Sequence, residues 1–191
     1  MGYCPIDVVG VFLLKGLQEN HYRGAFIAFN PPLAQRERYD FSPPFLKLGP
    51  VLVVREDSPI SSLSDLDQKI VAVNAYDHSV LLVQNCNVGG IKEYEHIGQI
   101  LEEVSSGQVD VALVPILDAQ DYISSRFSSL KIASAPLDDA GIRLVVLKGE
   151  QKRLLKRFEK RLAKIKKSGR YDKLLAEYGL NGCVIPPHCK L

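Results

Sequence analysis

The hydrophobic positions of this chain follow two different spacings. The run 70–73 is apolar throughout, and 51–55, 109–114 and 142–147 are apolar apart from Arg55, Asp110 and Arg143. Segments of this kind are typical of buried strands. The segment 97–104 instead places its apolar residues three and four positions apart, as an amphipathic helix does. Further short strands are predicted at 25–29, 91–94 and 130–134. Alternating strands and helices predict an α/β protein with mostly parallel sheets.

Local signals refine this reading in three places. Ser62-Leu63-Ser64-Asp65 offers serine caps and an early acid, and predicts a short helix. Residues 39–44 are predicted as a loop, because Pro43 and Pro44 forbid a continuing helix. A long helix is predicted from about Glu150, with a break at Ser168-Gly169.

The composition excludes several classes of protein. The chain has 191 residues, of which 46% are hydrophobic and 24% charged, so it is not intrinsically disordered. No apolar run approaches the roughly 18 residues that a membrane span needs. The longest run, 8–14, follows Asp7 rather than a basic segment, so we expect folded structure there and not a signal peptide.

Charge is distributed unevenly. Residues 151–170 contain ten basic residues and one acid, leaving 14 basic against 21 acidic residues, a net charge of −7, elsewhere. A basic helix of this kind either binds phosphates or presents a solvated face around an apolar stripe. Phe158 belongs to the apolar stripe, and no aromatic residue interleaves with the cations on the exposed side to stack bases, so no nucleic-acid partner is expected.

Motifs for catalysis or for cofactor binding are missing from the sequence. It contains no GxxxxGK, GxGxxG, GxSxG or HExxH pattern, and its cysteines lack zinc-site spacing. We therefore expect no cofactor, no metal and no enzymatic activity. Cys183 and Cys189 fit either a small disulfide loop or two free thiols, and spacing does not decide; the pairing of Cys4 and Cys86 is equally open.

An ordered succession of short phrases carries the strongest signal. The phrases are GLQEN at 16–20, QRERYDFSPPF at 35–45, VLVVREDSPI at 51–60, SDLDQKIVAV at 64–73, SGQVDVA at 106–112 and KSGRYDK at 167–173. In this order they resemble the extracellular solute-binding proteins of bacterial amino-acid ABC importers, the polar amino acid type or family 3. The resemblance extends from about residue 11 to residue 180.

The resemblance implies an α/β fold of the type II periplasmic-binding-protein class, a two-lobed clamshell. Lobe 1 would comprise residues 1–48 and 140–191, and lobe 2 residues 49–139. Lobe 1 would be incomplete, because the family's N-terminal strand, helix and signal peptide have no counterpart in this chain. The expected protein is a periplasmic or extracellular monomer that delivers a small polar ligand to a membrane permease. A lipid anchor on the full-length form and an altered or lost ligand specificity are left open.

The resemblance also implies candidate ligand-binding residues. An arginine that binds the ligand carboxylate precedes the DFS-P phrase in the family; here Gln35 has that spacing and Arg36 lies one residue later. Pro115 falls where the family has an acid for the ligand ammonium, and Asp118 is the candidate substitute. The ordinary alternatives are solvent exposure for Arg36, helix capping for Asp77, and core packing and a surface position, which the sequence favours, for Phe12 and Asp118. The full set is Phe12, Asn30, Arg36, Asp77, His78, Ser79 and Asp118.

Two alternatives to a transport receptor remain at this stage. Periplasmic dehydratases of the cyclohexadienyl type resemble these receptors, and such an enzyme would need an acid or base such as Asp77 or His78. A ligand-sensing domain of a larger receptor is the other alternative. Function depends on the site rather than on the fold, and the site is where the chain departs most from the family pattern.

Overall fold

The structure is a computed structural model that describes residues 10–28, 36–76, 79–178 and 180, with side chains from residue 13 onward. These residues divide into two units. Unit 1 contains the chain up to Lys47 together with Ala140–Glu177, and unit 2 contains Leu48–Asp139. The chain passes between the units at 47–48 and at 139–140, and from Tyr178 onward it again belongs to unit 2.

Unit 1 is built around one central strand, β9 (Gly141–Leu147). The strands β1 (Ala25–Ile27), β2 (Tyr39–Phe41) and β3 (Leu46–Lys47) all pair with it in antiparallel orientation. Its register places Val145 opposite both Ala25 and Phe41. β9 thus organises every described strand of this unit.

Helices cover both faces of this sheet, because successive side chains of β9 point in opposite directions. Helix α1 (Gly10–Gln18) buries Leu14 and Leu17 in a cluster with Val145. On the other face, Leu144 and Val146 pack with Leu155 of the long helix α5 (Lys152–Lys167). The final helix, α6 (Arg170–Glu177), follows the break predicted at Ser168-Gly169.

Unit 2 contains a five-stranded sheet in the order β6-β5-β7-β4-β8. Strand β5 lies parallel to β6 and β7, whereas β4 runs antiparallel to β7 and β8. The strands are β4 (Pro50–Arg55), β5 (Ile70–Asn74), β6 (Gly90–Tyr94), β7 (Val111–Pro115) and β8 (Leu130–Ile132). Its helices are α2 (Val80–Val83), α3 (Ile97–Ser105) and α4 (Ile116–Ser125), with a 3₁₀ helix at Leu63–Leu66.

The core of unit 2 consists of the continuous apolar runs seen in the sequence. Leu52, Val71, Val73 and Leu113 are completely buried in one cluster with neighbours from the helices. Val53 and Ala112, whose side chains face the opposite side of the same strands, are also completely buried. Burial on both faces explains why these strands show no polar alternation.

Within each unit, the segments that flank 47–48 and 139–140 are paired with each other. In unit 1, Leu46 pairs with Ile142 at the start of β9. In unit 2, the Leu137 amide donates to the Pro50 carbonyl at 2.8 Å. Gly141 is required here, because a β-carbon at this position would collide with the backbone of Leu46.

Two expectations from the sequence are wrong. Only β5, β6 and β7 are parallel, whereas every described pair in unit 1 is antiparallel, since β1, β2 and β3 share the single partner β9. The predicted loop at 39–44 begins with β2, because the prolines follow the strand and exclude only helix. The short helix after Ser62 is confirmed as a 3₁₀ helix.

Burial predicts unequal costs for two leucines that lie close together in the chain. Leu113 is completely buried in β7, whereas Leu117 in α4 is 41% exposed. Leu113→Ala should lower the free energy of unfolding by about 2–5 kcal/mol, because it removes buried methyl groups and leaves a cavity. Leu117→Ala should cost less than about 1 kcal/mol. Urea denaturation followed by circular dichroism measures both, and equal costs would contradict the packing described above.

Candidate functional site

The connections of unit 2 create a point at which the chain leaves neighbouring strands in opposite directions. From β5 the chain turns toward β6, whereas from β7 it passes beyond β4 to β8. Strands β5 and β7 are parallel neighbours, so their carboxyl ends lie at the same edge of the sheet. In open α/β sheets, ligands bind outside the carboxyl ends of the strands at such a point. The residues that follow Asn74 and Pro115 therefore form the candidate site.

A hydrogen-bonded turn follows β5. The Asn74 side-chain oxygen accepts from the Tyr76 amide at 2.9 Å, and its Nδ2 donates to the Glu95 carbonyl at 3.2 Å. The Ala75 amide also donates to the Tyr94 carbonyl at the end of β6. These bonds fix the turn and leave the Tyr76 ring 77% exposed at this edge.

Ser79 lies between this turn and α2, and its side chain is 2% exposed. Its hydroxyl oxygen has no hydrogen-bond partner among the described residues and makes no capping bond to α2. A buried hydroxyl without a partner carries an unrecovered desolvation cost. Among the described residues, the Ser79 hydroxyl is thus a buried polar group that makes neither a capping bond nor any other hydrogen bond.

Asp118 lies in the first turn of α4, directly after β7, and is half-buried. Burial raises the pKa of its carboxyl group above the ordinary value, and the nearby Asp121 carboxylate adds to the rise. No positively charged partner compensates it in any described ion pair. A cation placed against Asp118 would recover this cost and favour the ionised form.

The chemistry available at this edge is that of recognition. The Ser79 hydroxyl, the Asp118 carboxyl group and the Tyr76 ring follow the carboxyl ends of β5 and β7, and they are groups of the kind that bind a small polar molecule. Within the described ranges, no three histidine, cysteine or carboxylate side chains come together to hold a metal ion.

Of the other predicted site residues, the structure describes Arg36 and the backbone of Phe12. Arg36 is exposed in unit 1, in the segment that leads into β2. Phe12 lies in α1, and its side chain is outside the description, as are Asn30, Asp77 and His78 altogether. Their ligand-binding roles therefore stay predictions.

The cysteine question is answered only for Cys86. Cys86 is a free, half-buried thiol whose Sγ lies 3.7 Å from the Leu82 carbonyl oxygen. Cys4, Cys183 and Cys189 lie outside the described residues.

Sequence reasoning overlooked Asn74 and Tyr76 as candidate site residues. Both follow directly from the carboxyl end of a continuous apolar run, which is the position that the switch-point rule singles out. The sequence alone does not show this position, because β6 lies between β5 and β7 along the chain. Only the strand order of the folded sheet makes β5 and β7 neighbours.

Comparison with known proteins identifies the family. A model of the bacterial extracellular solute-binding proteins, family 3, matches residues 12–181. The chain belongs to this family. This is the family that the ordered sequence phrases predicted, so the prediction is confirmed.

The sequence relatives are amino-acid-binding proteins. The glutamine-binding protein GlnH of an ABC transporter in Bacillus subtilis is 25% identical over 146 residues, covering 75% of this chain and 53% of GlnH. The arginine-binding extracellular protein ArtP of the same species is 24% identical, covering 85% of this chain and 65% of ArtP. The chain thus spans between half and two thirds of the length of these curated relatives.

Solved structures confirm the fold. The L-cystine solute receptor of Neisseria gonorrhoeae, unliganded and open, matches with a TM-score of 0.75 at 20% identity, covering 95% of this chain and 77% of the receptor. An ancestral cyclohexadienyl dehydratase matches with a TM-score of 0.65 at 23% identity, covering 90% of this chain and 73% of the enzyme. The α/β fold of the type II periplasmic binding proteins, predicted above, is confirmed. No helix in the described part of the chain is long and apolar enough to span a bilayer.

The raised pKa of Asp118 predicts an unusual pH dependence. The folded state binds the Asp118 proton more tightly than the unfolded state, so ionisation is disfavoured by folding. Its stability penalty is absent below the unfolded pKa and becomes complete as the pH rises above the folded pKa. Asp118→Asn should therefore stabilise the ligand-free protein near neutral pH and lose this advantage in acid. Chemical denaturation at several pH values measures the difference.

A carboxyl-carbon NMR titration tests the cause of the shift. In Asp121→Asn, the pKa of Asp118 should fall toward the ordinary value but stay above it, because desolvation is the larger cause. A return to the ordinary pKa would show that Asp121, rather than burial, produces the shift.

Proposed function

We propose that this chain is the substrate-binding component of an ABC importer for an amino acid or a similar small polar solute that carries an ammonium group. A substrate-binding role follows from the family, and the relatives GlnH and ArtP bind amino acids. The partner would be the membrane permease of the importer, and the site of action the periplasm or the cell exterior. The two lobes, the monomeric state and a lipid anchor stay predictions.

The observation that carries this proposal is the pair of uncompensated polar groups at the switch point of unit 2. The Ser79 hydroxyl is buried without a described partner, and the half-buried Asp118 carboxyl group is disfavoured in its charged form. Both arrangements cost stability in the ligand-free protein. A ligand that bonds to the hydroxyl and places a cation against the carboxylate would recover that cost.

The charge of Asp118 indicates which part of the ligand it contacts. A carboxylate in a partly dehydrated position binds an ammonium group more strongly than a fully hydrated one does. The exposed ring of Tyr76 lies at the same edge, where it can cover the ligand side chain. The ligand carboxylate is then left for groups outside the described part of the site, for which Arg36 stays the predicted partner.

A thermal-shift screen against the standard amino acids tests the proposal. A true ligand at 100 times its dissociation constant should stabilise the protein by about 2.7 kcal/mol, since it binds only the folded state. Asp118→Asn should abolish this shift, whereas Asp121→Asn, which removes the same charge one turn later, should retain it. Ser79→Ala should leave the ligand-free protein as stable as before, or more so, but weaken binding at least tenfold by calorimetry.

Two results would contradict the proposal. One is the absence of any stabilisation by amino acids at millimolar concentration. The other is turnover of prephenate or arogenate, which would assign the chain to the dehydratases with which it shares its fold. Retained binding in Asp118→Asn would leave the receptor function standing but remove Asp118 from the site.

A further inference from the structure

Helix α5 (Lys152–Lys167) carries far more charge than its packing requires. Its 16 residues include nine basic side chains and one acid, Glu159. Only Leu155 of this helix is buried, and Phe158 packs half-buried against the same cluster of unit 1. Leu162 is also half-buried. Charges of both signs would be enough to keep a solvent-exposed helix face stable and soluble. An excess of cations is therefore not explained by solubility alone.

The cations concentrate on the outward face of the helix. At about 100° per residue, the buried side centres on Leu155, Phe158 and Leu162. The opposite side forms an arc of roughly 100° that contains only cations over about 21 Å of helix length. We call it the basic ridge, and its members are Arg153, Lys156, Arg157, Lys160, Lys164 and Lys167.

No acid within the described part of the chain neutralises the basic ridge. The described ion pairs involve Lys15, His21, Arg55 and Arg126, all outside α5. All six ridge side chains are exposed. Outside residues 151–170 the chain is net negative, so the positive potential is local to this helix.

Apolar side chains border the basic ridge on one flank. Leu154 and Ile165 are each 37% exposed, and by helical periodicity both lie between the ridge and the buried side. An interfacial helix buries such a flank among lipid headgroups and acyl chains while its cations meet the anionic groups. Nucleic-acid surfaces reward aromatic stacking instead, and the basic ridge contains no aromatic residue.

We propose that the basic ridge of α5 binds an anionic phospholipid surface and so holds the protein against the membrane. This role is separate from the ligand site, because α5 belongs to unit 1 and the candidate site to unit 2. Each lysine or arginine close to an anionic bilayer strengthens binding about fivefold, so several act together without a specific lipid pocket. The interaction should weaken steeply as salt is added.

Sedimentation of the full chain with lipid vesicles tests this proposal. The protein should sediment with phosphatidylcholine vesicles that contain phosphatidylglycerol and stay in solution with phosphatidylcholine alone. Arg153→Gln, Lys160→Gln and Lys164→Gln together should weaken the partition coefficient by roughly 100-fold. Glutamine keeps helix propensity close to that of the residues it replaces, so the fold should persist.

A matched control removes the same charge from other parts of unit 1. Lys15→Gln, Arg23→Gln and Lys148→Gln together replace two lysines and one arginine that are exposed outside α5. This variant should retain vesicle binding within a few-fold. Equal losses in the two triple variants would overturn the proposal, because total charge rather than the basic ridge would then decide.

Two further results would also overturn it. One is equal sedimentation with neutral and anionic vesicles. The other is tight binding of duplex DNA, measured by fluorescence anisotropy, without binding to anionic vesicles, which would assign the ridge to nucleic acid. Circular dichroism and melting curves of both variants verify that they fold, and amino-acid binding by both should be unchanged.

Discussion

The burial of the central residues of β4, β5 and β7 is the constraint on which the candidate site depends. These strands are apolar on both faces, so they can lie only at the centre of a sheet covered on both sides. Their order then leaves β5 and β7 as parallel neighbours whose following segments diverge. The candidate site residues lie at this edge because the chain leaves β5 and β7 there. Beyond the carboxyl ends of these strands, polar groups have to find partners other than the neighbouring strand.

Much of the fold was predictable from the sequence, because burial leaves a direct mark on it. Predominantly apolar segments predicted β4, β5, β7 and β9, and apolar spacing predicted α3. Strand direction was not predictable in the same way. The antiparallel sheet of unit 1 arises because β9 pairs with residues that lie 94 to 120 positions earlier in the chain. The hydrophobic pattern carries no information about such distant pairing.

The candidate site was less predictable than the fold. Ser79 and Asp118 were named from the sequence, but the features that single them out, a hydroxyl without a described partner and a desolvated carboxyl group, exist only after folding. Tyr76 and Asn74 were passed over because turn residues are common and only the strand order gives this turn its position. For helix α5, the excess of cations is already visible in the sequence. Which of its faces is exposed becomes clear only from the residues that pack against the sheet.

The uneven charge of the chain has a consequence for how the molecule moves near other charged bodies. A positive helix on an otherwise negative chain gives the protein a large electric dipole. Close to a negatively charged object the dipole exerts a torque that turns the helix toward it and its acidic parts away. The number of orientations sampled during an encounter therefore falls before any contact is made, and this selection fades when salt shortens the reach of the field.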